Sequence, residues 1–227
     1  MFSRKVAFQV LAISGLVGLT GASQAAVTVF TSPAAFASAV LISGTDTFTG
    51  LNLIDITVGP LLREAGSFGY TATSFDPGSS SLSNAFFGAG TTTPANPALS
   101  TYSSFDIIGL GSFTGGVGAL AGNFFGTAFN GMVSSASIIV TATDADGTVT
   151  RTIDNATASS FLGFVSSSGS LISATVEAVQ NGTSVGFLWP TVDNLVLASA
   201  VPEPESYALM LAGLGLVGAI AYRRRRA

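Results

Sequence analysis

The chain has 227 residues, 48% of them hydrophobic and only 9% charged, with a formal net charge of −4. It contains neither Cys nor His, which excludes disulfide staples, thiolate chemistry, Ser-His-Asp and Cys-His catalysis, and imidazole metal ligands. Six of its eight basic residues lie at the two ends, leaving only Arg63 and Arg151 between them, so no basic patch exists to meet phosphates and nucleic-acid binding is disfavoured.

Residues 1–26 read as a secretory signal peptide. Arg4 and Lys5 form the positive n-region, and residues 6–19 form the apolar stretch. Ser23 and Ala25 supply small side chains at the −3 and −1 positions, predicting cleavage after Ala25, with Ala26 as the alternative. The export translocon is therefore an expected partner. Residues 27–200 then form one exported domain, long enough for a sizeable core. It carries two basic and ten acidic residues, a balance of −8.

This domain is rich in Gly, Ser, Thr, Ala, Phe and Val and has no Lys, which favours strands joined by many turns. Residues 27–30 predict a first strand. Ser32-Pro33 predicts an N-cap with Pro at N1, opening a helix of two to three turns on which Phe36 and Val40 share a face. Residues 45–48 return to extended structure, and residues 51–58 predict a strand ending at Gly59-Pro60. Residues 66–75 alternate weakly, then Asp76-Pro77-Gly78-Ser79 predicts a turn. Residues 79–96 read as a long surface loop, with Phe86 and Phe87 tucked back in.

Residues 104–110 and 115–129 predict strands, the second a core strand whose glycines allow close backbone approach. The clearest pattern is a hairpin: strand 135–143, turn Asp144-Ala145-Asp146-Gly147, return strand 148–153. Residues 160–165, 172–179 and 191–197 add three strands, with Asn181-Gly182 turning between the last two. With nine to eleven strands, one or two short helices and no long repeat, the expected architecture is mostly β, a single jelly-roll-like β-sandwich.

Asp144 and Asp146 bracket a tight turn and offer oxygen ligands to calcium, the one metal that suits this composition. The competing reading is a pair of solvated turn residues. Trp189 and Asp193 are candidate ligand-binding residues, with the indole stacking on a sugar face. The alternative places Trp189 in the core, with Asp193 holding a loop. No catalytic residues and no obligate cofactor are expected.

The last 27 residues have three parts: Pro202-Glu203-Pro204, an apolar run over 207–222, and Arg223, Arg224, Arg225 and Arg226. The prolines stiffen the chain and disfavour helix just before them. Sixteen apolar residues at a helical rise span about 24 Å, short against a hydrocarbon core of roughly 30 Å. The arginines extend that reach and stay on the cytoplasmic side. Such a helix is marginal as a permanent anchor and adequate as a temporary one.

This tail resembles the PEP-CTERM sorting signal of exported Gram-negative bacterial proteins, although Glu205 stands where Ser or Thr usually follows the motif. The resemblance implies recognition by a membrane-embedded exosortase that removes the anchor at residues 201–227. A weaker resemblance lies in Val140-Thr141-Ala142-Thr143-Asp144-Ala145-Asp146-Gly147, Phe161-Leu162-Gly163-Phe164-Val165 and Thr191-Val192-Asp193-Asn194-Leu195. These look like the end of many exported PEP-CTERM domains, which are similar to lectin-like or carbohydrate-binding sandwiches. The implied function is a non-catalytic surface or extracellular-matrix protein, associated with exopolysaccharide and binding carbohydrate. Two alternatives stand beside it: a carboxylate-dependent glycan-active enzyme on the same sandwich, and a permanently anchored periplasmic protein.

Overall fold

The computed structural model describes residues 27–79, 83–90, 97–180 and 186–200, together with 211–215, 217–218 and 221–222 of the tail. The described part of 27–200 is a two-sheet sandwich of antiparallel strands with one short helix, α1 (Pro33–Ser38).

The larger sheet runs in the order β1 (Val27–Phe30), β13 (Phe161–Ser166), β9 (Ala119–Thr127), β15 (Trp189–Ala200), β7 (Ala98–Thr101), β6 (Ala85–Ala89) and β3 (Thr57–Val58). β10 (Val133–Ser134) pairs with β9, and β2 (Val40–Asp46) pairs with β15. The smaller sheet runs in the order β12 (Thr148–Ala156), β11 (Ala136–Asp144), β14 (Leu171–Ala178), β8 (Ile107–Thr114), β5 (Phe68–Phe75) and β4 (Leu61–Ala65).

The strands form where side chains alternate between core and surface. β5 and β11 bury every second residue, as expected of strands with one face on a core. Phe48, Phe86, Phe124 and Phe164 from the larger sheet and its connections meet Ile108, Leu110, Ile138 and Val140 from the smaller one in the main core. β9 is buried on both faces, because α1 packs Phe36 against Ala119, Ala121 and Ala198 on the outside. Gly163 makes that contact: a Cβ there would lie 2.5 Å from the Phe36 ring.

Several expectations need correction. The helix is only six residues long, because Ala39 closes it and Val40 is taken into β2 opposite Ala200. Val40 still packs against the cluster that contains Phe36, but from β2 and not from the helix. Residues 51–56 are irregular: the Asn52 side chain accepts from the N–H groups of Ile54 and Asp55 at 2.8 and 3.1 Å, an Asx-type turn that outcompetes a ladder. The expected surface loop over 79–96 contains β6, with Phe86 fully buried. β4 and β7 were not expected, and fifteen strands are found among the described residues. The 135–153 hairpin forms as expected, with Thr143 opposite Thr148. The Asn181-Gly182 turn lies outside the described residues.

β2 crosses β4 closely. A Cβ on Gly44 would lie 2.1 Å from the Ala65 carbonyl oxygen, so the backbone itself must shift to admit one. Gly44→Ala is expected to cost about 2 kcal/mol, within the usual range for overpacking. The denaturant midpoint reads this loss, and an unchanged midpoint would show that the two strands part without penalty.

Candidate functional site

A cleft of about 580 Å³ opens on the outer face of the larger sheet. Five aromatic rings line it: Phe87 from β6, Tyr102 and Phe105 after β7, Phe129 after β9, and Trp189 at the start of β15. Alternation along β6 explains Phe87. Phe86 points into the core, so its neighbour faces outward, where it lies 5.6 Å from the Tyr102 ring. Trp189 is half-buried, donates its indole N–H to the Tyr102 carbonyl at 3.0 Å, and packs against Phe129 with ring centroids 6.0 Å apart. The hydroxyls of Ser100 and Thr127 also line the cleft. Both interact with Thr191, at 3.1 and 3.0 Å, and Ser100 donates to the Pro190 carbonyl.

None of the described lining residues is charged. The rim is unusually exposed for aromatic side chains: Phe129 is 90% accessible, Phe105 55% and Tyr102 51%. Asp193, paired with Trp189 in the sequence reading, is not part of the lining. It sits at an irregularity between β15 and β9, where its carboxylate accepts from the Asn194 N–H at 2.7 Å. Burial pushes its carboxyl above the ordinary value, and that hydrogen bond offsets the effect only in part.

Asp144 and Asp146 share one turn, and both Asp144 oxygens are already engaged. Asp144 is buried; its Oδ1 accepts from the N–H groups of Asp146 and Gly147 at 2.9 and 3.1 Å, and its Oδ2 from the Ser166 hydroxyl at 2.7 Å. Asp146 accepts from Ser167 at 3.2 Å. Burial alone would raise the Asp144 carboxyl, but these donors outweigh it and hold the group below its ordinary value. No cluster of three acidic side chains suited to a metal occurs among the described residues. Chelator is expected to leave the melting temperature unchanged, whereas Asp144→Ala strands a hydroxyl and two N–H groups at a cost of about 2 kcal/mol. A chelator-induced fall would instead assign a cation to this turn.

A second buried carboxylate was not legible in the sequence. Asp46, at the end of β2, forms a two-pronged ion pair with Arg63 on β4, at 2.6 and 2.8 Å. It also accepts from the Tyr70 hydroxyl and the Phe48 N–H, each at 2.7 Å. The guanidinium lies 5.3 Å from the centroid of the Phe48 ring. Phe48 itself has φ of 54°, a left-handed conformation that costs a bulky residue energy. Burial drives the Asp46 carboxyl up, but the bonds from Arg63, Tyr70 and Phe48 prevail and hold it below the ordinary carboxylate value. This cluster joins β2, β4 and β5 and is structural in character.

The two ends of the domain lie at the same end of the larger sheet. Val27 pairs with Ser166, Val165 with Ala119, and Ala119 with Ala198. Val27 and Ala200 therefore stand at the same end of one sheet, three strand spacings or about 14 Å apart. β15 is twelve residues long, which places Trp189 and the cleft at the other end, about 35 Å away along the strand.

Beyond Ala200 the chain matches the family model described as the PEP-CTERM protein-sorting motif, over residues 200–226. The chain carries a PEP-CTERM sorting motif. Comparison with curated proteins and with solved structures gives no match.

The PEP-CTERM match implies export, a membrane-anchored sorting signal at the C-terminus and an exosortase as processing partner. Residues 211–215, 217–218 and 221–222 of this signal are helical, with Leu211, Leu214 and Val217 all exposed. Among the described residues no helix is long and apolar enough to cross a membrane. Pro202, Glu203, Pro204 and the arginines 223–226 lie outside the described residues, as do Ala25 and Ala26 of the expected signal-peptide cleavage.

Proposed function

We propose that this is an exported, non-catalytic protein of the cell surface or extracellular matrix. It is held briefly at the inner membrane and released by an exosortase acting at its PEP-CTERM signal. The observation that carries this reading is the match over residues 200–226. The geometry of the domain supports it. With Val27 and Ala200 at one end, an N-terminal signal segment and a C-terminal anchor reach the same bilayer without distorting a jelly-roll-like sandwich. The expected association is with exopolysaccharide.

A carboxylate-dependent glycosidase would need two acids roughly 5–10 Å apart across its cleft. The aromatic cleft offers none among its described lining residues, so no specific observation favours that reading. The experiment that separates release from permanent anchoring is pulse-chase fractionation in the native host. The chain is expected first in the inner membrane and later outside the cell. A chain that stays in the inner membrane throughout the chase would support the permanently anchored alternative.

A further inference from the structure

We infer that the aromatic cleft at the Trp189 end of the sandwich is a binding site for an uncharged polysaccharide chain. The inference deepens the surface-protein reading and rests on it for access to an external glycan.

The occupant is selected by charge and by shape. The domain carries a balance of −8, and its two cations, Arg63 and Arg151, lie on β4 and β12 of the opposite sheet. An anionic polymer would meet net repulsion and find no guanidinium in the cleft. A basic partner would find no carboxylate there among the described residues. Recognition must therefore come from rings and neutral polar groups, and the cleft supplies both. The rings of Phe105, Phe129 and Trp189 present apolar area to the C–H faces of pyranose units. Ser103 and Asn130, which also line the cleft, offer neutral hydroxyl and amide donors to sugar hydroxyls, while their oxygens already accept from the Phe105 and Met132 N–H groups at 3.2 and 3.1 Å. A cleft of about 580 Å³ lies in the range usual for ligand sites.

Placement favours the same occupant. The cleft lies about 35 Å along β15 from the residue at which the anchor departs, so the anchor leaves from the opposite end of the strand. A soluble polymer can reach it before and after release.

The test uses the full chain in a non-glycosidic detergent, applied to a glycan array of neutral hexose polymers, polyuronates and sulfated polymers. Retention on neutral polymers and not on anionic ones is expected. Phe129→Ala and Phe105→Ala, at exposed positions, are each expected to weaken binding by roughly tenfold with no change in melting temperature. Sedimentation velocity of the same samples should show one species insensitive to Phe129→Ala. Absence of retention on every neutral polymer overturns the inference, as does equal retention on anionic ones. Self-association abolished by Phe129→Ala would also overturn it, assigning the cleft to a second copy of the chain. Because the uncleaved chain is used, failure here leaves the sorting reading intact, and failure of processing in the host leaves this result intact.

Discussion

Replacing Arg63 by alanine is expected to lower the unfolding free energy by about 3 kcal/mol, because removing one partner strands a buried charge. For a domain of this size that is a fall of roughly 6–12 °C in melting temperature. Asp46 is only 5% exposed, and Arg63 neutralises it through two direct hydrogen bonds. Asp46→Asn in the Arg63→Ala background should recover part of the loss, because a neutral side chain keeps an acceptor for Tyr70 and Phe48 without an unpaired charge. A loss under about 1 kcal/mol for Arg63→Ala would place the pair with exposed surface ion pairs instead.

The same pair sets an acid limb. The folded-state carboxyl of Asp46 titrates below its ordinary value of 3.8. Its contribution is therefore fully present above that value and is lost as pH falls through the folded-state value. Asp144 is shifted in the same direction and adds to the limb, whereas Asp193 is shifted upward and works against it. Chemical denaturation across this range should show stability falling with acid in the wild type and a shallower fall in Arg63→Ala.

Changing Pro202, Glu203 and Pro204 together to alanine should produce the largest functional effect. Two prolines impose an extended backbone and remove two N–H donors, whereas three alanines make the segment compatible with helix and erase the charge. The variant is expected to accumulate uncleaved in the inner membrane, with released protein reduced at least roughly tenfold, the change that about 1.4 kcal/mol of lost recognition produces. Neutral replacements of the arginines 223–226 act differently, by weakening orientation and stop-transfer. Fractionation followed by immunoblotting distinguishes the two. Release of the triple-alanine variant at the wild-type level would show that the motif is not what the processing enzyme reads.

The parts legible in the sequence were those governed by local chemistry. The 144–147 turn announced its hairpin through Asp and Gly between two alternating runs, and 115–129 announced a core strand through its apolar content. β4 was hidden for a physical reason. Its inward row is Leu61, Arg63 and Ala65, while Leu62 faces solvent at 85% exposure, so Leu62 and Arg63 at its centre break the alternation that would announce a strand. Arg63 turns inward only because Asp46 awaits it seventeen residues earlier in the chain. β6 was masked by the Ser/Gly/Thr/Pro-rich composition around it. Trp189 was singled out as a site residue; Phe87 was expected to tuck back in with Phe86 but turns outward into the cleft, and Tyr102, Phe105 and Phe129 were not named. These four rings come from β6, from the segment after β7 and from the loop after β9, and only strand order brings them together.

Whether the tail is a removable sorting signal is tested most directly by the intact mass of the protein released by its native host. The expected species begins at Ala26 or Val27, ends within or just after residues 201–206 and lacks all four arginines of 223–226. Released protein that still carries Arg223, Arg224, Arg225 and Arg226 would contradict removal of the tail.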